Sequence, residues 1–276
     1  MTPPPSRIVK IVSNEPLTDP EFRELQIDAG AAAADAKPGQ FVHVRLPGTL
    51  DPLLRRPFSV AGAGDGRLTI VYKRVGALTS RLASLRPGAE LDMFGPRGHG
   101  YRLEGPKAAH AILAGGGYGA APLLFLARTL RERALASRIT LLVGARTAAQ
   151  LLWRERVEAE SSWLDAGFAT DDGSYGEKGT VLDLLMARLS DPAAGVRVCA
   201  CGPSAMLAGL ARIRPGLPAE VAAEGHMGCG MGVCQGCVLP MVPAAGGPAR
   251  YARVCHEGPV FDVHAIDWAA VKAARL

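Results

Sequence analysis

The tightest constraint on this chain is a set of four cysteines near its C-terminal end. Cys229, Cys234, Cys237 and Cys255 stand at the spacing C-x4-C-x2-C-x17-C, inside G-H-M-G-C-G-M-G-V-C-Q-G-C (residues 225–237) and R-V-C-H-E-G-P-V-F (residues 253–261). That is the plant-type ligand spacing of a [2Fe–2S] cluster. Thiolates on one loop can all face a small inorganic core only if the loop curls around it. Gly228, Gly230, Gly232 and Gly236 supply backbone that can turn. They also leave main-chain N–H groups to point at the sulfurs. Cys255 arrives from a separate segment and closes the cage. Two other readings compete. Structural zinc usually takes C-x2-C pairs at both ends of its site, whereas here the first gap is four residues and Cys255 stands alone. Disulfides need an oxidising compartment, and the opening M-T-P-P-P-S-R has no apolar signal region.

With 276 residues the chain has room for about two domains of ordinary size. Aromatics make up only 5%, so its cores are built from Ala, Val, Leu and Ile. The net charge of +5 is scattered, and no basic stripe is interleaved with base-stacking aromatics, which argues against nucleic-acid binding. A basic patch attracting anionic nucleotides or an acidic partner stays open. No apolar run approaches about 18 residues, so no membrane span is expected. Cysteine usage fits a reducing cytoplasm. Cys199 and Cys201, at i and i+2 near a strand end, read as small buried residues.

Residues 7–104 read as short strands between Gly/Pro turns: Arg7–Asn14, Phe22–Asp28, Gln40–Leu46, Phe58–Ala63, Arg67–Lys73 and Glu90–Phe94, with a helix over Thr79–Leu85. Alternation is visible in F-V-H-V-R-L and L-T-I-V-Y-K. The pattern predicts a small antiparallel β-barrel. After residue 108 strands alternate with helices: strands Ala109–Ala114, Ile139–Gly144, Gly167–Thr170 and Val196–Ala200, and helices carrying Leu123 to Leu130, Leu151–Glu160, Thr180–Leu189 and Ser204–Ile213. That alternation predicts a parallel-sheet α/β domain. The expected division is a barrel over 1–104, an α/β nucleotide-binding domain over 105–221 and a small cysteine module over 222–276.

Several stretches outside the cysteine loop carry chemistry. Arg56-Pro57-Phe58-Ser59 opens a barrel strand and offers what a flavin needs: a guanidinium for pyrophosphate, a flat side chain to stack, and a hydroxyl or N–H for the ring edge. A strand entry with a charged flank is the plainer alternative. In V-Y-K-R-V-G-A-L-T-S (residues 71–80), Gly76 opens a turn and Thr79 stands at the start of a helix, whose N-terminus can take a phosphate. A simple N-cap by Thr79 is the alternative there. Gly115-Gly116-Gly117-Tyr118-Gly119-Ala120 follows a strand, opens a helix and satisfies G-x-G-x-x-A. The next strand ends Val143-Gly144-Ala145-Arg146, without the acidic residue of the NAD fingerprint. The domain is therefore a nucleotide-binding one of a different style, in which Gly117 and Gly119 let backbone approach a flavin or a nicotinamide. Asp171 and Asp172, after a later strand, would favour NADH over NADPH by repelling a 2′-phosphate. An acidic surface turn is the competing reading. Cys201-Gly202-Pro203 sits on the same crevice edge. His226, three residues before Cys229, reads as a surface or supporting residue, because four cysteines already complete a ligand set.

The chain resembles the electron-transfer subunits of class 1B (NAD-dependent) dihydroorotate dehydrogenases, within the ferredoxin-reductase-like flavoproteins. The resemblance spans essentially the whole chain and rests on D-P-L-L-R-R-P-F-S (51–59), G-P-R-G-H-G-Y (95–101), G-G-G-Y-G-A-A-P-L (115–123), D-D-G-S-Y-G-E-K-G (171–179), C-G-P-S-A-M-L (201–207), the Gly-Cys loop and V-C-H-E-G-P-V-F-D (254–262). It implies FAD on the barrel, held through Arg56, Pro57, Phe58 and Ser59, through Val71, Tyr72 and Lys73, and through Gly76, Leu78 and Thr79. The family commonly has G-x-G-T where this chain has Gly76-Ala77-Leu78-Thr79, which puts a side chain near the pyrophosphate. The resemblance also implies a partner, the FMN-containing catalytic subunit that oxidises dihydroorotate, in a heterotetramer of two of each chain. Electrons would run from that FMN through [2Fe–2S] and FAD to NAD+. The competing reading is a paralogous FAD/[2Fe–2S] NAD(P)H-oxidoreductase subunit of a ferredoxin, sulfide or hydrogenase type complex. A self-contained reductase and a purely structural cysteine module are further alternatives.

Overall fold

Period-two alternation builds the first half of the molecule. The computed structural model describes residues 6–189 and 195–273. The first five residues, part of the opening stretch read above for signal character, lie outside the described residues. β1 (Arg7–Pro16) and β2 (Phe22–Asp28) lead to the one-turn helix α1 (Ala31–Ala34). Then come β3 (Phe41–Arg45), β4 (Arg56–Gly64), β5 (Arg67–Lys73), the helix α2 (Ala77–Ser84) and β6 (Glu90–Arg97). The six strands close into an antiparallel barrel in the order β1-β2-β5-β4-β3-β6, which leaves no free edge. Val9, Ile11, Leu25, Ile27, Val42, Val44, Leu68, Ile70 and Leu91 fill its interior, and Leu78 and Leu82 of α2 join the same core. In F-V-H-V-R the two valines point inward, so Phe41 and His43 face out of the barrel.

The predicted barrel is therefore present, and β2 and β5 fall at the residues read from the sequence. β1, β4 and β6 run longer. The expected helix over Thr79–Leu85 starts earlier, at Ala77, with Gly76 as its N-cap. Thr79 is not the cap. It stands at the third helical position, where its hydroxyl accepts from the Val75 and Gly76 amides at 3.0 Å each.

The second half follows the predicted βα alternation. β7 (Ala108–Gly116), α3 (Ala120–Glu132), β8 (Ala136–Ala145), α4 (Arg154–Glu158) and β9 (Asp165–Thr170) come first. The short β10 (Glu177–Lys178), α5 (Val181–Arg188), β11 (Val196–Cys201), α6 (Ser204–Ile213) and β12 (Ala219–Ala222) follow. These strands pair in parallel, with Ala111 and Leu113 of β7 in the core under α3 and Ile112 and Ala114 in the core under α5 and α6. β7 has β8 on one side and β11 on the other, so the winding reverses there. Ligands bind in open α/β sheets at the carboxyl ends of strands beside such a reversal. The helix expected over Leu151–Glu160 is shorter because Trp153 adopts a left-handed backbone (φ 54°) and ends the helix on its N-terminal side.

The cysteine segment is wired into this sheet. It forms a hairpin of β13 (Val238–Met241) and β14 (Arg250–Arg253), then β15 (Val260–Asp262) and α7 (Trp268–Ala273). β15 pairs antiparallel with β12 and becomes the edge of the seven-stranded sheet. None of β12 to β15 was predicted, since three or four residues are too few to display a period. The barrel is tied to the same region. The His99 amide donates to the Gly258 carbonyl at 2.7 Å, and the Ala223 amide to Pro259 at 2.8 Å. The Tyr101 hydroxyl, fully inside, donates to the Ala200 carbonyl of β11 at 2.8 Å.

Replacing Tyr101 with Phe removes the only change of chemistry, one buried hydroxyl, and leaves the ring in place. It is expected to cost about 1–2 kcal/mol of stability, read as a lower denaturation midpoint in urea with an unchanged slope.

Candidate functional site

A cavity of about 670 Å³ opens where the barrel, the β7–α3 turn and the segment after β12 meet. Its barrel wall comes from Arg56, Pro57, Phe58 and Ser59 of β4, Val71, Tyr72 and Lys73 of β5, and Gly76, Leu78 and Thr79 at the start of α2. The sheet contributes Tyr118, Gly119 and Cys201, and the C-terminal segment contributes Glu224 through Gly228. The ten predicted flavin positions and Gly119 therefore lie on one wall system, whereas Gly117, Asp171 and Asp172 do not. Gly117 lies behind Tyr118 with φ +56°, a turn conformation that suits glycine.

The side chains divide the labour differently from the expectation. Phe58 meets Tyr72 edge-on at 6.0 Å between ring centroids, and both bury most of their surface in the barrel core. The Tyr72 hydroxyl donates to Asn14 at 3.0 Å. Neither ring is a free stacking platform. Arg56 and Ser59 are exposed, and Lys73 is held by Glu21 at 3.0 Å. Leu78 is 2% exposed and packs inward, so its side chain does not crowd the helix start. The polar rim of Arg56, Ser59 and Lys73 around an apolar wall suits an anionic, flat ligand.

Two contacts close the sheet side. Gly119 touches β11 so tightly that a Cβ there would lie 2.2 Å from the Cys201 carbonyl oxygen. The Tyr118 hydroxyl donates to Glu224 at 2.7 Å, joining the glycine turn to the segment that leads into Cys229. Burial and then the Glu224 carboxylate hold this phenol protonated. Sequence reasoning missed Glu224, since nothing local marks it. Asp171 and Asp172 are exposed and outside the cavity wall. The Asp172 carboxylate accepts from the Ser174 amide and hydroxyl, which keeps its pKa low. Cys199 and Cys201 are buried, and burial pushes both thiols up to about 12.

The four loop cysteines gather at one place. Cys237 and Cys255 are buried with sulfurs 3.3 Å apart, while Cys229 is half-buried beside the exposed Cys234. Among the described residues no three of these groups already form a metal-ligand arrangement. The loop nonetheless fits a cluster through its donors. The amides of Met231 and Cys234 point at the Cys229 sulfur, that of Gly232 at Cys255, and that of Gly236 at Cys234. Burial works against a Cys229 thiolate, yet the amides of Cys234, Met231 and Val233 outweigh it and hold the pKa near 6. Burial and the Cys237 sulfur push Cys255 up to about 12. Gly230 and Gly232 take left-handed backbone as expected, at φ +69° and +83°. Gln235, not Gly228 or Gly236, takes the third such position, at φ +58°.

The x17 gap has a structural cause. Cys237 immediately precedes β13 and Cys255 follows β14, and the Val254 amide donates to the Cys237 carbonyl at 2.9 Å. The hairpin itself, with Val238 opposite Arg253, delivers the fourth thiol.

A barrel joined to a parallel sheet, with a ligand cavity at their seam and a thiol loop on its rim, defines a ferredoxin-reductase-like flavoprotein that carries an added iron–sulfur segment. The iron-sulfur cluster binding domain of dihydroorotate dehydrogenase B matches residues 224–267, and an oxidoreductase NAD-binding domain matches residues 113–212. The chain is 38% identical over 253 residues to the dihydroorotate dehydrogenase B (NAD(+)) electron transfer subunit of Bacillus caldolyticus, covering 91% of this chain and 94% of that one. The corresponding subunit of Desulforamulus reducens is 37% identical over 254 residues, covering 90% and 94%. Among solved structures, one of the NADH-dependent reduced ferredoxin-NADP oxidoreductase aligns with TM-score 0.80 at 27% identity, over 97% of this chain and 92% of that one. A ferredoxin NADP+ reductase from Neisseria gonorrhoeae shares the fold alone, with TM-score 0.62 at 17% identity over 73% and 87%. This chain belongs to the family of dihydroorotate dehydrogenase B electron transfer subunits.

Two expectations follow from the packing. Gly119→Ala forces the glycine turn off β11, so NADH-driven bleaching of the bound flavin should slow by about a hundredfold in stopped flow while flavin content is retained. Deleting Ala245, Gly246 and Gly247 shortens only the exposed hairpin tip, so iron and labile sulfide content should stay at the parent level.

Proposed function

We propose that this chain is the electron-transfer subunit of a dihydroorotate dehydrogenase in pyrimidine biosynthesis, carrying electrons from the FMN of a catalytic subunit by way of [2Fe–2S] and FAD to NAD+. The observation that carries the reading is the shared wall: β4, the Tyr118–Gly119 turn and the segment running into Cys229 all border one cavity. A single space thus has access to a flavin strand, a nucleotide turn and a thiolate loop. Nicotinamide exchanges two electrons as hydride, an iron–sulfur cluster exchanges one, and flavin does either.

The residues have the following tasks. Cys229, Cys234, Cys237 and Cys255 hold the cluster, and the amides of Met231, Gly232, Cys234 and Gly236 offset thiolate charge. Arg56 and the first turn of α2 face the FAD pyrophosphate, Ser59 serves the ring edge, and Pro57, Val71 and the rims of Phe58 and Tyr72 exclude water. Lys73 adds a cation at the rim. Gly117 and Gly119 allow main chain to approach the nicotinamide nucleotide. Residues 1–104, 105–221 and 222–276 are the FAD, NAD and cluster units of this scheme.

The exposed sulfur of Cys234 and the neighbouring Val233, 74% exposed, mark the face that meets the FMN-containing catalytic subunit. Two of each chain form the assembly, and it works in the cytoplasm. No helix among the described residues is long and apolar enough to cross a membrane. The close structural likeness to the ferredoxin-NADP oxidoreductase favours a second reading, a related subunit of another FAD/[2Fe–2S] complex.

The test is NAD+ reduction by dihydroorotate with this chain and an FMN-containing catalytic subunit from the same source. Activity should require both chains. Cys234→Ser should abolish the cluster absorbance and the coupled activity, by about a hundredfold or more, and leave NADH reduction of FAD intact. Coupled activity that survives Cys234→Ser would overturn the electron route. Absence of coupling, with flavin and cluster both reducible by NADH, would favour the second reading.

A further inference from the structure

The outward face of β3 holds a buried imidazole that none of the roles above uses. His43 is 0% exposed, yet it points out of the barrel, because the cysteine loop lies over it. Gly230, next to Cys229, comes so close that a Cβ there would sit 2.5 Å from His43 Nδ1. Main-chain groups of Met227, Cys229 and Arg55 surround the ring. Both ring nitrogens are nevertheless buried without a hydrogen-bond partner in good geometry. A buried donor left unpaired costs free energy, so such a group normally has an occupant or a purpose.

The surroundings of the ring are equally specific. Phe41, two residues earlier on the same face, meets His43 edge-on at 6.3 Å and forms part of the flavin cavity wall. Across the ladder His43 is opposite Pro57 of the Arg56–Ser59 stretch on one side and Phe94 of β6 on the other. Beneath it, Asp92 is gripped by Arg45 at 2.7 Å and by Arg55 at 2.6 Å. On its outer side the imidazole faces the main chain of the cysteine loop at Met227, Cys229 and Gly230.

We propose that His43 is a positioning residue for the cluster loop: its ring N–H bonds to the Met227–Cys229 loop once the four thiolates are drawn together, fixing that loop against β3 of the flavin barrel. This rests on the assignment of the four cysteines as cluster ligands. The recognition chemistry is that of a single neutral donor meeting an electron-rich loop. Gly230 is the matching element, since any side chain there would occupy the space of the ring. The consequence is mechanical as well as electrostatic. The strand that carries His43 is hydrogen-bonded to the strand that borders the flavin cavity, so the loop and the cavity share one rigid reference.

The experiment uses the full-length chain reconstituted with FAD, iron and sulfide, as parent, His43→Leu and His43→Gln. Leucine fills the space without a donor, and glutamine keeps an N–H. Cluster loss to EDTA is followed by visible absorbance, and the dithionite-reduced cluster is recorded by EPR. Losing one donor to the loop should speed cluster loss in His43→Leu by about tenfold and shift its EPR g-values, with glutamine restoring both to within about threefold and to the parent line shape. FAD content serves as the check that the barrel has folded. If His43→Leu fails to fold, Gly230→Ala approaches the contact from the loop and should show the same loss and shift. A parent chain that assembles no [2Fe–2S] cluster would remove the cysteine assignment itself. A parent with cluster, and a folded His43→Leu or Gly230→Ala indistinguishable from it in EPR and EDTA resistance, would overturn only the role of His43. Equal cluster loss in leucine and glutamine variants, with unshifted g-values, would also overturn it, because packing rather than the donor would then matter.

Discussion

The molecule depends on a main-chain contact between residues 98–101 and 258–260. Gly98 approaches Pro259 so closely that a Cβ would lie 2.5 Å from its Cδ, and at Gly39 a Cβ would lie 2.7 Å from Val260. These gaps can be crossed only by residues without side chains. The His99 amide donates to Gly258, and the Val260 amide donates back to His99 at 3.3 Å. Val260 then continues as β15 beside β12, and β12 lies beside β11, which accepts the Tyr101 hydroxyl. Barrel, sheet and cysteine segment are therefore hydrogen-bonded through one strap. The cavity exists because of it, since each of the three supplies one wall.

The thiols show what the loop does before any inorganic core is considered. Cys229 and Cys255 belong to one set, yet amide donors hold the first near pKa 6 while burial drives the second to about 12. Cys229 is ready to bind as thiolate, and the buried Cys255 holds its proton. Cluster assembly must then displace protons from the buried side, which couples loading to folding of the hairpin that carries Cys255. The amides aimed at sulfur are the counterweight to the negative charge so gathered.

Much of this was legible because it is local. A strand such as Phe22–Asp28 announces itself by alternation, and the cysteine and glycine spacings are read directly from consecutive residues. The short strands β12 to β15 were not legible, because three or four residues show no period and do not reveal the partner each strand pairs with. That Phe58 and Leu78 pack into the barrel core while bordering the cavity was not legible either. Whether an apolar side chain faces a ligand or a core depends on which way the strand or helix presents it, and here the barrel interior took both. His43 and Glu224 left no signal at all. Each matters through a contact with a residue more than a hundred positions away, His43 with Gly230 and Glu224 with Tyr118.

The cysteine spacing itself carries two kinds of information. In C-x4-C-x2-C the gaps are those of a loop curling around a small centre, and left-handed Gly230, Gly232 and Gln235 mark the turns. The x17 gap is instead a hairpin with an exposed tip, so its length reflects folding and not metal geometry. The first three ligands therefore specify the chemistry, and the fourth specifies where that chemistry is held. Cys255 is 1% exposed, fixed behind β14 and three residues before the strap at Gly258. The same short stretch thus anchors the innermost sulfur and joins the barrel to the sheet. A loop that only bound metal would need no such anchor. One that must keep a fixed separation from a flavin cavity does, because one-electron transfer depends on a separation that thermal motion does not change, and the His99–Pro259 bridge ties this stretch to the segment that leaves β6.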